Sequence, residues 1–133
     1  MTPVEPDVIL KPSMGNINIA VIGDGGWGTT LAIHLSKKGF KTTLWGVFPE
    51  YVDTIRARRE NIKFLPGVKI PDSVSITASL DEAVAGAGIA ILAVPSQHMR
   101  GVLTRLKASD LKEALLVSVA KGIENGTLKM MSE

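Results

Sequence analysis

Residues 16–39 read NINIAVIGDGGWGTTLAIHLSKKG, and this stretch decides the fold. Ile17, Ile19, Ala20, Val21 and Ile22 form a short, nearly continuous apolar run that ends at Gly23. A strand buried on both faces has this appearance, because neither face meets water. Gly28, Leu31, Ala32 and Leu35 then recur at the spacing of one helix face. Lys37 and Lys38 fall in the last turn, where positive charge suits the helix dipole, and Gly39 supplies a stop. Between strand and helix, Gly23, Gly25 and Gly28 spell G-x-G-x-x-G. Alone that pattern is weak. Directly after a predicted strand and at the opening of a predicted helix, it has the surroundings of a dinucleotide fingerprint. Gly23 permits the tight turn, Gly25 lets backbone approach a diphosphate, and Gly28 lets the helix pack against the strand. The helix start then offers free N–H groups and a positive dipole end to the anion.

Working outward, strands and helices alternate. Thr42 to Trp45 reads as a second strand, and the segment from Pro49 to about Glu60 as a helix with Val52 and Ile55 inward. Val74 to Thr77 is a third strand. Ser79 followed by Glu82 makes a capping box, and Leu80, Ala83, Val84 and Ala87 line the helix that follows. Ile89 to Val94 is a fourth strand; Met99, Val102, Leu103 and Leu106 mark another helix face; Leu115 to Val119 is a fifth strand. The alternation predicts an α/β, Rossmann-type doubly wound fold with a mostly parallel sheet and helices on both faces. The domain spans residues 15–133. Residues 1–14 read as an N-terminal arm, since Pro3, Pro6 and Pro12 forbid a regular helix or central strand there.

Composition narrows the function classes. The chain has 133 residues, 45% hydrophobic and 21% charged, which suits one domain with a buried core. A net charge of +2 is too small to argue for nucleic acid. There is no cysteine, so no disulfide, thiol nucleophile or cysteine metal site exists, and no metal site is expected. No apolar run reaches the ~20 residues of a membrane span. The start does not read as a signal peptide, and a cytoplasmic location is the expectation.

Cofactor choice is not written where it usually is. The fingerprint normally continues with an acid ~20 residues on, at the end of the second strand, where it binds the adenosine ribose. Here that strand ends Trp45-Gly46-Val47-Phe48, and the nearest carboxylate is Glu50, beyond Pro49. No arginine stands at the turn to hold a 2′-phosphate. Arg56, Arg58 and Arg59 come later and read as a solvated helix face. The cofactor is therefore NAD or NADP, and the missing cation favours NAD. Phe48 either covers the adenine or is a core aromatic.

The run IAVIGDGGWGTTLAIHLSKKG resembles the opening of bacterial NAD(P)-dependent glycerol-3-phosphate dehydrogenases. Three further blocks match in order: ENIKFLPG (60–67), LAVPSQ (92–97) and SVAKGIENGTLKMMSE (118–133). The resemblance implies reversible hydride transfer between NAD(P)H and dihydroxyacetone phosphate, giving sn-glycerol 3-phosphate for phospholipid synthesis. It implies that Gly23, Gly25 and Gly28 bind the diphosphate, with the N–H groups of Gly26 and Trp27 beside them. Phe64 matches an aromatic position near the cofactor, or simply packs with Leu65 and Pro66. Pro95 matches a residue near the nicotinamide, and Ser96 alone reads as a helix N-cap. Lys121 matches the lysine of the K-G-I-E block, which the resemblance places in the substrate and active-site region, against the cofactor. Without that block it would read as a solvent-exposed lysine.

The same resemblance implies that the principal catalytic lysine belongs to a helical C-terminal domain beyond Glu133. On that expectation this chain alone turns over poorly, and the face which the second domain would cover is apolar and exposed. A homodimer is compatible with the sequence but is not readable from it. His34 is expected on a solvated face and His98 near the cofactor edge, neither as a catalyst. Two other readings stay open: a stand-alone dinucleotide-binding module without catalysis, and another two-domain NAD(P)-dependent dehydrogenase.

Overall fold

The computed structural model describes residues 17–106 and 114–120. The arm expected over residues 1–14 lies outside them. Five strands form a parallel sheet in the order β5-β2-β1-β6-β7. They are β1 (Asn18–Ile22), β2 (Lys41–Trp45), β5 (Val74–Thr77), β6 (Ile89–Leu92) and β7 (Leu115–Ser118). A separate two-stranded antiparallel hairpin, β3 (Glu60–Asn61) and β4 (Leu65–Lys69), projects between α2 and β5 in the chain. The helices are α1 (Gly26–Lys37), α2 (Pro49–Arg58), α3 (Leu80–Val84) and α4 (Met99–Arg105).

Side-chain alternation sorts the core into two layers. Ile19, Val21, Leu44 and Ile91 pack on one face of the sheet with Ala32, Ile33, Val52 and Ile55 of α1 and α2. Ala20, Ile22, Trp45, Ala90 and Leu92 pack on the other with Leu80, Ala83, Val84, Met99 and Val102 of α3 and α4. Successive strand residues point to opposite faces, so a strand apolar at every position needs a helix layer on both sides. The doubly wound expectation holds, and each predicted strand is present.

Local details differ from the expectation in ways with physical causes. The buried stripe of α1 is Gly28, Thr29, Ala32 and Ile33, whereas Leu31 and Leu35 are only partly buried. The capping box is half formed. The Ser79 hydroxyl accepts from the Glu82 N–H, but the Glu82 carboxylate turns to the Thr77 hydroxyl instead of the Ser79 N–H. Thr77 in turn accepts from the Ser79 N–H at 3.0 Å, so the donor is still satisfied. Ser96 is not the N-cap: Pro95 holds that place, before a short 3-10 turn over Ser96–His98. Arg58 is exposed as expected, but Arg56 and Arg59 are not simply solvated. Arg56 donates twice to the Ile76 carbonyl, and Arg59 to the Val74 carbonyl, covering acceptors of edge strand β5. At the opposite edge, Leu115, Leu116 and Val117 of β7 are exposed.

Candidate dinucleotide site

The sheet order reverses direction between β1 and β6. From β1 the chain first builds toward β2 and β5, then crosses to add β6 and β7. A crevice opens at the carboxyl ends of strands at such a switch point. Here the ends of β1 and β6 flank it, and the glycine loop closes its floor. The Gly23 N–H bonds the Trp45 carbonyl at 3.0 Å, and the Ala93 N–H bonds the Ile22 carbonyl at 2.8 Å, which ties the three strand ends together.

Close backbone approaches require two of the glycines. Gly23 has φ +128°, and a Cβ there would stand 2.7 Å from the Ala93 carbonyl oxygen. A Cβ on Gly28 would stand 2.0 Å from the Gly23 carbonyl oxygen, so helix and strand approach closer than any side chain allows. At Gly25 the opposite holds: a Cβ would meet nothing within 4 Å. Gly25 is also the N-cap of α1, and no side chain caps that helix start. The helix start thus has neither a side-chain cap nor a carboxylate in its first turn, which suits an incoming anion.

A cavity of about 1120 Å³ spreads over this floor. Gly23, Gly25, Gly26, Trp27, Gly28, Phe48, Phe64 and Pro95 all line it. Of the expected site residues only Lys121 is missing from this set, because it lies outside the described residues. Phe48 is 68% exposed, so the core-aromatic reading is overturned. Phe64 is 55% exposed and meets Tyr51 edge-on at 6.4 Å between ring centroids, so it does not pack in the core either. Trp27 is 58% exposed at the same rim. His98 lines the cavity, and His34 is exposed on α1 away from it.

The side chains of Asn61, Thr29 and Tyr51, which sequence reasoning passed over, hold the site together. Asn61 is fully buried beneath the hairpin. Its Nδ2 donates to the Asp24 carbonyl at 2.7 Å and to the Thr29 hydroxyl at 2.8 Å. Its Oδ1 accepts from the Tyr51 hydroxyl and from the Phe64 N–H. The Tyr51 oxygen accepts in turn from the Lys63 N–H at 3.0 Å. Both donors and the acceptor of this buried amide are therefore used, and hairpin, α2, glycine loop and α1 are pinned at one point.

Asp24 lies inside the fingerprint and lines the cavity. Burial pushes its carboxyl above the ordinary value of 3.8; its own backbone N–H and the charge of Lys63 pull the other way without cancelling that rise. A raised carboxyl costs folding stability once it ionises. The cost is absent below the ordinary aspartate range and develops as pH rises through the raised value. Asp24→Asn is therefore expected to raise the unfolding midpoint at pH 7, with the gain shrinking to nothing near pH 3. Thermal melts at both pH values check it, and an equal gain at both would exclude the ionisation as its cause.

Sheet order, switch-point cleft and glycine-loop geometry define a Rossmann-type dinucleotide-binding fold. The family described as the NAD-dependent glycerol-3-phosphate dehydrogenase N-terminus matches residues 18–133, and the chain belongs to it. It is 49% identical over 117 residues to glycerol-3-phosphate dehydrogenase (NAD(P)+) of Pelodictyon phaeoclathratiforme, covering 88% of this chain and 35% of the relative. It is 47% identical over 117 residues to the enzyme of the same name from Corynebacterium glutamicum, with the same shares covered. Among solved structures, it is similar to glycerol-3-phosphate dehydrogenase from Coxiella burnetii, with a TM-score of 0.79 and 28% identity over 89% of this chain and 36% of that one. The chain thus spans about a third of the length of the relatives it matches. Among the described residues, no helix is long and apolar enough to cross a membrane.

Proposed function

We propose that this chain binds NAD(H) or NADP(H) as the cofactor half of a glycerol-3-phosphate dehydrogenase. The reaction is hydride transfer between NAD(P)H and dihydroxyacetone phosphate, giving sn-glycerol 3-phosphate. The observation that carries the reading is the uncapped start of α1 at Gly25, open to the cleft and walled by Gly23 and Gly28. The diphosphate lies over the N–H groups of Gly26 and Trp27. Phe48 and Phe64, both exposed at the rim, offer apolar faces to the adenosine end, and Pro95 at the end of β6 stands on the nicotinamide side. The cofactor supplies the hydride chemistry; these residues bind and orient it and exclude water. Lys121, three residues past β7, is proposed to hold substrate oxygens by its charge. The residues that supply the proton belong to sequence matching the remaining length of the relatives.

Titration of the chain with NADH and with NADPH tests this. Trp27 is exposed within the loop and Trp45 borders the cavity, so saturable quenching of tryptophan emission is expected. No change with either dinucleotide at millimolar concentration, on a chain shown folded by circular dichroism, would overturn it.

A further inference from the structure

The end of β2 lacks the acid that a dinucleotide fold ordinarily places there, yet the space is not empty. Gly46 follows Trp45 directly, and a Cβ on Gly46 would stand 2.2 Å from Oδ2 and 2.8 Å from Cγ of Asp24. The Asp24 carboxyl, reaching over from the glycine loop, fills the volume that a side chain at the end of β2 would take. Gly46 is what makes room for it.

We propose that Asp24 is the ribose-reading acid of this site, accepting hydrogen bonds from the adenosine hydroxyls and selecting NAD(H) over NADP(H). The inference rests on the dinucleotide reading above and adds the choice between the two cofactors. Four observations converge on it. Asp24 lines the cavity at the β2 end. Among the described residues its carboxylate makes no ion pair and no hydrogen bond to another side chain, so its oxygens can accept from a ligand. Its backbone is fixed by the Asn61 and Thr29 bonds to its carbonyl, at 2.7 and 3.4 Å, so the carboxyl is held in place. Of the three arginines that follow in sequence, Arg56 and Arg59 are spent on the β5 carbonyls, and none of Arg56, Arg58 and Arg59 lines the cavity. A 2′-phosphate brought to this point meets a carboxylate at the place where the hydroxyl would donate to it. Lys63 and Arg105 also line the cavity, and they sit over the rings of Tyr51 and Trp45, at 4.6 and 5.6 Å. The burial that lifts the Asp24 carboxyl is consistent with a functional acid kept in a cleft at a cost to stability.

The test titrates NADH and NADPH at pH 8 into the wild-type chain, Asp24→Asn and Asp24→Ala, each checked for an intact fold by circular dichroism. Wild type is expected to bind NADH at least about tenfold tighter than NADPH, the worth of one charged hydrogen bond. Both variants should weaken NADH about tenfold while NADPH stays level or tightens, so the preference collapses or reverses. An analogue of NADH lacking the adenosine 2′-hydroxyl should bind the wild type about tenfold more weakly than NADH and Asp24→Ala equally well. Equal wild-type affinities, a wild-type preference for NADPH, or variants that weaken both dinucleotides alike overturn the proposal and leave dinucleotide binding standing. If neither dinucleotide binds the folded wild type, the functional reading falls and this inference with it. Lys63→Met separates the remaining arrangement: if Lys63 reads a 2′-phosphate, that variant loses NADPH affinity alone, which also counts against Asp24.

Discussion

Gly28→Ala is expected to abolish measurable dinucleotide binding and to lower the unfolding midpoint by roughly 10 °C. The added methyl would stand 2.0 Å from the Gly23 carbonyl oxygen and 3.0 Å from its carbon. Both obstacles are backbone, so no rotamer change relieves them. Either α1 moves off the sheet or the turn at Gly23 opens, and Gly23 cannot yield freely. Its φ is +128°, and it lies so close to the chain just past β6 that even a methyl on it would stand 2.7 Å from the Ala93 carbonyl oxygen. Overpacking of this kind costs about 3 kcal/mol, and the loop that moves is the one proposed to bind the diphosphate. Gly25→Ala is the control. A Cβ there meets no protein atom, so stability should fall by less than about 1 kcal/mol, the scale of a changed N-cap. Binding should still weaken markedly, because the methyl stands where the ligand would lie. Melting curves and NADH titrations of the two variants check the pair. Equal effects of both on stability would mean that the close approach at Gly28 is not what the fold depends on.

Asn61→Leu should come next in size. The substitution keeps the branched heavy-atom framework, with somewhat more bulk, and removes every polar partner at once. The Asp24 carbonyl, the Thr29 hydroxyl, the Tyr51 hydroxyl and the Phe64 N–H all lose a bond. Thr29 is fully buried and keeps only a 3.4 Å contact to the Asp24 carbonyl. Leaving buried polar groups unpaired costs about 1–3 kcal/mol each, and relaxation of the partly buried ones limits the sum to about 3 kcal/mol. Urea unfolding measures it. Tyr51→Phe alone should cost only about 1 kcal/mol, since it removes one hydroxyl from the rim of the network. In the double variant the two losses should not add, because the Tyr51–Asn61 bond is counted in both. Strict additivity would show that the network does not act as a unit. Loss of the Asn61 anchor should also loosen the glycine loop, so NADH affinity should fall although Asn61 is fully buried.

Much of this fold is legible in the chain itself. The apolar runs at 17–22 and 89–94 read as strands buried on both faces, and their side chains do alternate between two core layers. G-x-G-x-x-G was readable because strand, turn and helix are contiguous, and each glycine's role follows from its place between them. Positive φ at Gly39, just past α1, follows from the same local logic. Membership of the family was likewise carried by ordered blocks along the chain.

What remained hidden depends on residues far apart in sequence. Asn61 reads as an ordinary polar residue in a loop; its partners Asp24 and Thr29 are 37 and 32 residues away. Arg56 looks like one member of a surface charge run, yet its guanidinium reaches a carbonyl 20 residues on. The hairpin over 60–69 carries little alternation, since β4 is exposed almost throughout. The missing acid at the end of β2 was visible as an absence, but nothing in the local pattern shows a carboxyl from the first loop filling its place. Strands, helices and the glycine turn follow from periodicity and backbone sterics within a few residues, so the chain dictates them locally. Which buried polar groups meet, and which carboxyl faces the cleft, is settled where distant segments pack against one another.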